Sequence, residues 1–224
     1  MNISAAQTAP AKKNGTTLPM PLRLPVYLAG MVILCFGIVL NTKTGMGVAA
    51  INSVPYCVSH LTGLTLGTCT FILYFIFIIA QLIIRRSFSL KTVLQFPMAL
   101  LVGRLVDFFD NLLNFMAKGY ADGFLLLAAA ILLTGLGVTL SVGMDLVPNA
   151  ADGMVNTLAW AAGWEFGKMK YTFDISMMCL TCVISLVFAH HIIGIGLGTV
   201  FSALLIGRAA GMFRRLLKKP LQLQ

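Results

Sequence analysis

Six long apolar stretches, separated by short polar breaks, dominate the pattern of this chain. A helix of about 20 residues spans the ~30 Å hydrocarbon core of a bilayer, and the pattern predicts such helices over 24–42, 66–84, 92–116, 123–142, 171–189 and 192–213. Two further stretches, 47–62 and 146–163, are shorter and contain polar residues and proline. At about 1.5 Å per residue a helix this short covers only ~24 Å, and its polar side chains must face protein or water rather than lipid.

A six-residue motif occurs twice, as Ala-Leu-Leu-Val-Gly-Arg at 99–104 and as Ala-Leu-Leu-Ile-Gly-Arg at 203–208. Weaker matches keep the same order in both halves of the chain, since residues 37–46 resemble 135–144 and residues 62–67 resemble 162–167. The order predicts an all-α membrane helix bundle of two homologous halves, each with three spans and one short polar segment. The expected boundaries are a disordered cytoplasmic tail at 1–22, repeats at 23–118 and 119–216, and a cytoplasmic tail at 217–224.

Basic residues at the ends of the apolar stretches favour one topology. If the short segments enter and leave by the same side, there are six spans, the halves are inverted, and only Lys43 and Lys118 lie outside among the flanking basic residues. If the short segments cross, there are eight spans in parallel halves, and Arg85, Arg86 and Lys91 move outside. Because cytoplasmic loops carry an excess of Lys and Arg, the six-span arrangement with cytoplasmic termini is favoured.

Composition excludes several classes of protein. Hydrophobic residues make up 58% of the chain and charged residues 10%, whereas a soluble domain carries roughly 25% charged residues. The net charge of +9 comes from residues that flank apolar runs, so membrane lipid is an expected partner and nucleic acid is not. The sequence contains no nucleophile, phosphate-loop, dinucleotide or zinc-site pattern, and we therefore expect neither enzyme activity nor a cofactor or metal.

The repeated motif places Arg104 and Arg208 within apolar helices. An arginine at membrane depth is costly and marks a candidate functional site, and its guanidinium suits bidentate binding of a carboxylate or phosphate. The pair therefore predicts an anionic solute between the halves. Two structural alternatives stay open: Arg104 pairs with Asp107 to lock helix packing, or Arg208 extends to the membrane surface.

Carboxylate and amide side chains supply the other candidates. Asp107 and Asp110 follow Arg104 at helical spacing and lie near one helix face; together with Asp152 they are candidate proton carriers. The expected solute-binding set joins side chains of the short segments to the two arginines: Arg104, Arg208, Asn52, Ser53, Asn149 and Asp152. Asp152 has a structural alternative as the N-cap of its short helix.

Glycines recur at matching places in the two halves and are expected to be structural; the Gly-x-x-x-Gly pairs at 63–67 and 163–167 fit close helix approach. This structural set comprises Gly37, Gly45, Gly63, Gly67, Gly135, Gly143, Gly163 and Gly167.

The chain resembles the YczE/YitT-like family of bacterial integral membrane proteins. The resemblance rests on the glycines and methionine at 37–47, on Thr-Gly-Leu-Thr-Leu-Gly at 62–67, on Lys-Thr-Val at 91–93 and on Gly-Arg-Leu-Val-Asp-Phe-Phe at 103–109. It covers about residues 25–215. It implies a multi-pass protein of the bacterial cytoplasmic (inner) membrane with five or six spans, and it supplies no substrate.

These observations predict a secondary transporter or exporter of a small solute, bound between the two repeats. The alternative is an accessory protein that scaffolds a membrane complex and transports nothing. The two interrupted segments favour transport, because a scaffold has no need of short helices that point toward the bilayer midplane. A bundle of this size is also compatible with a homodimer.

Overall fold

A computed structural model describes residues 16–222 of the chain. Within that range the chain forms nine helices: α1 (Met20–Thr42), α2 (Ala50–Thr62), α3 (Leu66–Arg85), α4 (Leu90–Val93), α5 (Gln95–Leu112), α6 (Tyr120–Gly143), α7 (Ala150–Ala162), α8 (Phe166–Ala189) and α9 (Leu197–Leu217). The expected all-α class is confirmed for the described residues.

Five helical segments are long and apolar enough to cross a membrane. They are α1, α3, the α4–α5 segment (Leu90–Leu112), α6 and α8. The sixth long helix, α9, carries Arg208, Arg214 and Arg215 and falls outside this set. The predicted stretches therefore coincide with long helices, and length and composition support a membrane crossing for five of the six.

The N-terminal boundary differs from the expected tail. Helix α1 begins at Met20, where Pro19 and Pro21 supply backbone angles suited to a helix start. Just before it, the Thr16 hydroxyl donates to the Leu221 carbonyl and the Thr17 amide donates to the Gln222 carbonyl. Residues 16–22 thus belong to the folded bundle because helix and hydrogen bonds hold them; residues 1–15, also assigned to the disordered tail, lie outside the described residues.

Helices α1 and α6 pack against each other at the centre of the bundle. A Cβ atom at Gly37 would lie 2.6 Å from the Thr134 hydroxyl oxygen, and one at Gly137 would lie 2.5 Å from the Leu34 nitrogen. Glycine at these places lets the two backbones approach closely, as is typical of helix pairs in membranes. Around this pair, α5 packs on α1 and α3, and α9 packs on α6.

The short helices α2 and α7 each pack along the C-terminal part of a long helix. Ser53 and Cys57 of α2 contact Thr181 and Ser185 of α8, with Oγ–Oγ1 and Sγ–Oγ distances of 2.7 and 3.1 Å. In α7, the Ala150 carbonyl accepts from Gln81 of α3 at 3.2 Å, and the Thr157 hydroxyl accepts from Arg85 at 2.7 Å.

The two short helices lie at opposite ends of the bundle. We call the end with the C-terminus of α1 and the N-terminus of α3 the upper end, and the other the lower end. The chain before α2 bonds to the α8–α9 connection, from the Val48 amide to the Gly194 carbonyl, and α2 finishes beside the start of α3. Before α7, the Val147 carbonyl accepts from Tyr27 near the start of α1, and α7 finishes beside Arg85. Each short helix thus starts and finishes at one end.

Candidate functional site

A cavity of about 360 Å³ opens at the upper end of the bundle, and we call it the polar pocket. It forms where the C-terminal ends of α1, α2 and α5 meet the N-terminus of α3. Its polar lining comprises Thr42, Lys43, Tyr56, Ser59, His60, Thr65, Asp107, Asp110 and Asn111. A second cavity of about 350 Å³ adjoins it and shares Thr42 and Tyr56.

Lys43 and Asp110 form an ion pair in the polar pocket. The Lys43 Nζ lies 2.7 Å from the Asp110 Oδ1, and the two side chains are 14% and 38% exposed. Lys43 directly follows α1, and Asp110 lies in the last turn of α5, so the pair joins two helix ends. A partly exposed pair of this kind stays available to a polar solute, because water has not been fully excluded from it.

Asp107 has a structural task at the pocket's edge. Its Oδ1 accepts from the Gly67 amide at 2.7 Å, and its Oδ2 accepts from the Thr65 hydroxyl at 2.9 Å. The N-cap residue of α3 is Thr65, and the Asp107 carboxylate adds an acceptor for a free backbone amide of the first turn and interacts favourably with the helix dipole. Asp107 therefore holds the start of α3 against α5, and both its oxygens are already occupied.

Tyr56 and His60 complete the pocket wall on α2. Their rings lie 4.2 Å apart between centroids. Burial, and secondarily the Asp110 carboxylate, raise the pKa of Tyr56 above its usual value. Sequence reasoning missed Lys43, Tyr56 and His60, because each comes from a different segment than the acids they face. One signal was present: Lys43 stands out as a basic residue on the side predicted to be poor in them.

A second cluster of charges lies between α7 and α8 toward the lower end. Lys170 Nζ lies 3.3 Å from Asp174 Oδ1 and 3.9 Å from Asp152 Oδ1, so two carboxylates share one ammonium group. The Asp174 side chain is 13% exposed and belongs to the long apolar helix α8. Sequence reasoning missed Lys170 and Asp174, although an acid inside a predicted span, one helical turn from a lysine, is a signal for such a cluster.

The structure does not bring the two repeated arginines into this site. Arg104 is exposed on the outward face of α5, between the exposed Leu100 and Phe108. Arg208 is exposed on α9, between the exposed Leu204 and Met212. Among residues 16–222 neither guanidinium forms an ion pair with a carboxylate. The alternative pairing of Arg104 with Asp107 is therefore absent, because Asp107 is directed to α3.

Asn52 and Ser53 of α2 are buried, whereas Asn149 and Asp152 at the start of α7 are partly exposed. Ser53 bonds to Thr181 and to the Ala50 carbonyl. Asn52 is 6% exposed, and its Oδ1 has no hydrogen-bond partner among the described residues. Asn149 donates to the Tyr74 hydroxyl at 3.4 Å. The N-cap of α7 is Asn149 and its side chain makes no capping bond, so Asp152 does not cap this helix.

Seven of the eight predicted glycines end a helix, lie in a turn or are buried among helices. Gly63 and Gly163 end α2 and α7 with φ of +73° and +67°, a left-handed conformation that glycine adopts without strain; Gly45, with φ of +68°, lies in the turn after α1. Close approach of helices explains Gly37, Gly67 and Gly135, and Gly143 is buried at the end of α6. Gly167 differs from all of these, since it has neither a positive φ nor any atom within 4 Å of where its Cβ would be.

Comparison with known proteins now assigns the family. Residues 21–215 match the profile of the DUF6198 family, a family of unknown function. The chain belongs to this family. It is also 24% identical over 190 residues to the uncharacterized membrane protein YczE of Bacillus subtilis strain 168, covering 83% of this chain and 82% of the relative. The resemblance to YczE-like membrane proteins is thus confirmed. The expectation of a membrane protein with several apolar helices is confirmed as well. No solved structure matches the chain.

Proposed function

We propose that this DUF6198 protein is a secondary transporter of a small polar solute, built from two inverted homologous halves in the bacterial cytoplasmic membrane. The observation that carries the proposal is the equivalent placement of the two short helices at opposite ends. Inverted repeats with interrupted helices near a central site are the common plan of secondary transporters. With both termini in the cytoplasm, the upper end would face outward.

Residue-level contacts support the equivalence of the halves. Ser53 and Cys57 of α2 contact Thr181 and Ser185 of α8. The contact between α7 and α3 uses the four positions that lie 100 residues away from these, namely 153, 157, 81 and 85. There, Thr157 bonds to Arg85, and a Cβ at Gly153 would lie 2.6 Å from the Gln81 Oε1. The side chains differ in chemistry, yet the backbone positions that meet are the same. A duplicated and inverted unit accounts for this pattern.

The polar pocket is suited to bind a solute that carries an amine or another cationic group. Its charged lining has one ammonium, on Lys43, and two carboxylates, on Asp107 and Asp110. The arginines that led us to expect an anion lie outside it. A cationic group would compete with Lys43 for the Asp110 carboxylate, while Ser59, His60 and Tyr56 would supply polar contacts. Such an excess of one charge attracts solutes of the opposite sign.

The Asp152–Lys170–Asp174 cluster is the proposed proton-coupling site. Ionisable residues inside a membrane span commonly mark proton relays, and two carboxylates that share one lysine leave one acid without a full counter-charge. This assignment retains Asp152 from the predicted proton carriers and adds Asp174. Asp107 and Asp110 are not proposed as proton carriers, because Asp107 is bonded to the start of α3 and Asp110 lies in the solute pocket.

A thermal-shift screen of the purified protein would test the proposal. Cationic, neutral and anionic metabolites would be added at two pH values to the wild type, Asp110→Asn and the control Asp145→Asn. Asp145 pairs with Lys91 at 3.1 Å on an exposed surface, so its loss should leave the pocket unchanged. We expect a cationic solute to stabilise the wild type and Asp145→Asn but not Asp110→Asn, since ligand binding raises stability by mass action.

Two outcomes would overturn the proposal in different ways. If an anion stabilises the wild type and loses its effect in Arg104→Ala, the site lies at the repeated arginine and the solute class is wrong. If no compound shifts the wild type, and proteoliposomes containing it accumulate none of the panel, the non-transporting scaffold is favoured.

A further inference from the structure

We propose that α9 has a second packing position, against α8 through Gly207 and Gly167, which closes the lower end of the bundle. The inference rests on the inverted halves of the proposed function, and it identifies the movement that would give access to opposite sides in turn. It follows from a difference between two helix pairs that the repeat makes equivalent: α3 with α5, and α8 with α9.

Helices α3 and α5 meet backbone to backbone at two glycines. A Cβ at Gly67 would overlap the Gly103 carbonyl oxygen. A Cβ at Gly103 would lie 2.8 Å from the Gly67 oxygen and 3.1 Å from the Cβ of Phe71. At Gly67 only glycine permits this approach, whereas a Cβ at Gly103 requires a small shift of the helices. The contact lies at the upper end, where Asp107 also holds the start of α3. The α3–α5 pair is therefore closed.

Helices α8 and α9 carry the same glycines and do not use them. Gly167 occupies the position of Gly67 after α7, and Gly207 occupies the position of Gly103 in the repeated motif. Neither has an atom within 4 Å of its potential Cβ, and α8 and α9 have no packing comparable to that of α3 with α5. In the apolar stretch of α8, 17% of the residues are buried inside the bundle, against 39% in that of α3. Glycine weakens a helix, and no close packing in this arrangement accounts for Gly167 and Gly207.

In place of α8, α9 packs on the central helix α6. A Cβ at Gly135 would lie 2.7 Å from the Cβ of Ala209. The equivalent glycine in the other half, Gly37, packs against Thr134 of α6 and not against a residue of α5. The last helix of the first half, α5, thus packs on both its central helix α1 and its neighbour α3, whereas α9 packs on its central helix α6 without a comparable contact to α8. The repeat provides glycines for both contacts of α9.

Charges on α8 and α9 suit the closed position. Glu165, at the start of α8, occupies the place of Thr65, and Gly211 occupies the place of Asp107. Glu165 is exposed and forms no ion pair among residues 16–222. Arg208 and Arg215 lie about one turn to either side of Gly211. Where α5 offers a carboxylate to the start of α3, α9 would offer guanidinium groups to a carboxylate at the start of α8.

Disulfide cross-linking of the full chain in lipid nanodiscs tests the inference. The pair Tyr171→Cys with Gly207→Cys reproduces the Phe71–Gly103 contact in the other half, and both positions are exposed here. The exposed or half-exposed Cys179 and Cys182 would be replaced by alanine. Thr172→Cys with Gly207→Cys is the matched control, because the equivalent Ile72 faces outward. Ser53→Cys with Thr181→Cys, at an existing contact, is the positive control.

We expect Tyr171→Cys with Gly207→Cys to cross-link within one chain, on the order of tenfold more than the Thr172 control, since a disulfide requires Cα atoms within about 7 Å. A yield equal to that of the control overturns the inference. So does cross-linking between two chains, which would show that a second copy covers this face. The reaction needs no solute, so a cross-link without transport would contradict only the proposed function, and transport without a cross-link would contradict only this inference.

Discussion

The α3–α5 and α8–α9 pairs contain equivalent glycines, and the first pair is packed while the second is apart. In the first, Gly67 and Gly103 touch and Asp107 bonds to the start of α3. In the second, Gly167 and Gly207 touch nothing, and α9 lies on α6. The difference teaches that matching glycines do not by themselves determine which helices pack together, because neighbouring helices compete for the same surfaces.

The largest expected effect comes from adding one methyl group to each pair. Gly67→Ala forces α3 away from α5 and should lower the free energy of unfolding by about 2–3 kcal/mol, as overpacking does. Gly167→Ala meets open space and should raise it by about 0.5–1 kcal/mol through better helix propensity. Thermal unfolding in one detergent measures both, and equal losses would contradict the contrast between the pairs.

Removing the Asp107 carboxylate should weaken the closed pair somewhat less. Asp107→Ala leaves the Gly67 amide and Thr65 hydroxyl without their acceptor, and we expect a loss of about 1–2 kcal/mol. Asp145→Ala, which removes a carboxylate from an exposed ion pair, should cost under ~1 kcal/mol. The same unfolding measurement compares the two variants. A smaller loss for Asp107→Ala than for Asp145→Ala would refute the role of Asp107 in holding the start of α3 against α5.

A transplanted cap should sharpen the comparison from the other side. Glu165→Thr with Gly211→Asp places the hydroxyl and carboxylate of the α3–α5 pair at the matching positions of α8 and α9. A cap worth about 1 kcal/mol should shift the population of the closed position several-fold, which the yield of the Tyr171–Gly207 cross-link reports. Gly211→Asp alone is the control, since it brings a second carboxylate toward Glu165 and should lower the yield.

The smallest expected change in stability accompanies a large change in function. Gly207→Leu meets open space, so the unfolding midpoint should move by less than the equivalent of ~1 kcal/mol. The leucine side chain would nevertheless prevent α9 from approaching α8, and we expect solute uptake by proteoliposomes to be lost. Full uptake by this variant, with the substitution confirmed by mass spectrometry, would show that closure through this face is unnecessary.

Local features of the chain predicted the helices well. The short segments expected at 47–62 and 146–163 appear as α2 and α7, at Ala50–Thr62 and Ala150–Ala162. Each ends at a glycine whose left-handed backbone angle terminates the helix. Such signals act over one or two turns, so they are legible without knowledge of the tertiary contacts.

The candidate site was only partly predictable, and Arg104 shows why. Its apolar surroundings and its repetition indicated a buried arginine, yet Val102, Gly103 and Val106 face inward and direct Arg104 outward. On a helix, a shift of one residue turns a side chain by about 100°, and the sequence does not state which face has a partner. The Lys43–Asp110 pair joins helix ends 67 positions apart, a distance over which no local pattern operates.

The sequence by itself determined the membrane class, the helices and the glycines at which the short helices end. Hydrophobicity, helix periodicity and glycine conformation are properties of short segments, and they act before any long-range contact forms. The tertiary structure alone decided that Lys43 meets Asp110, that Lys170 lies between two carboxylates, and that α9 rests on α6. Those choices depend on which surfaces compete for the same neighbour, and the difference in packing free energy between them is set by the whole bundle.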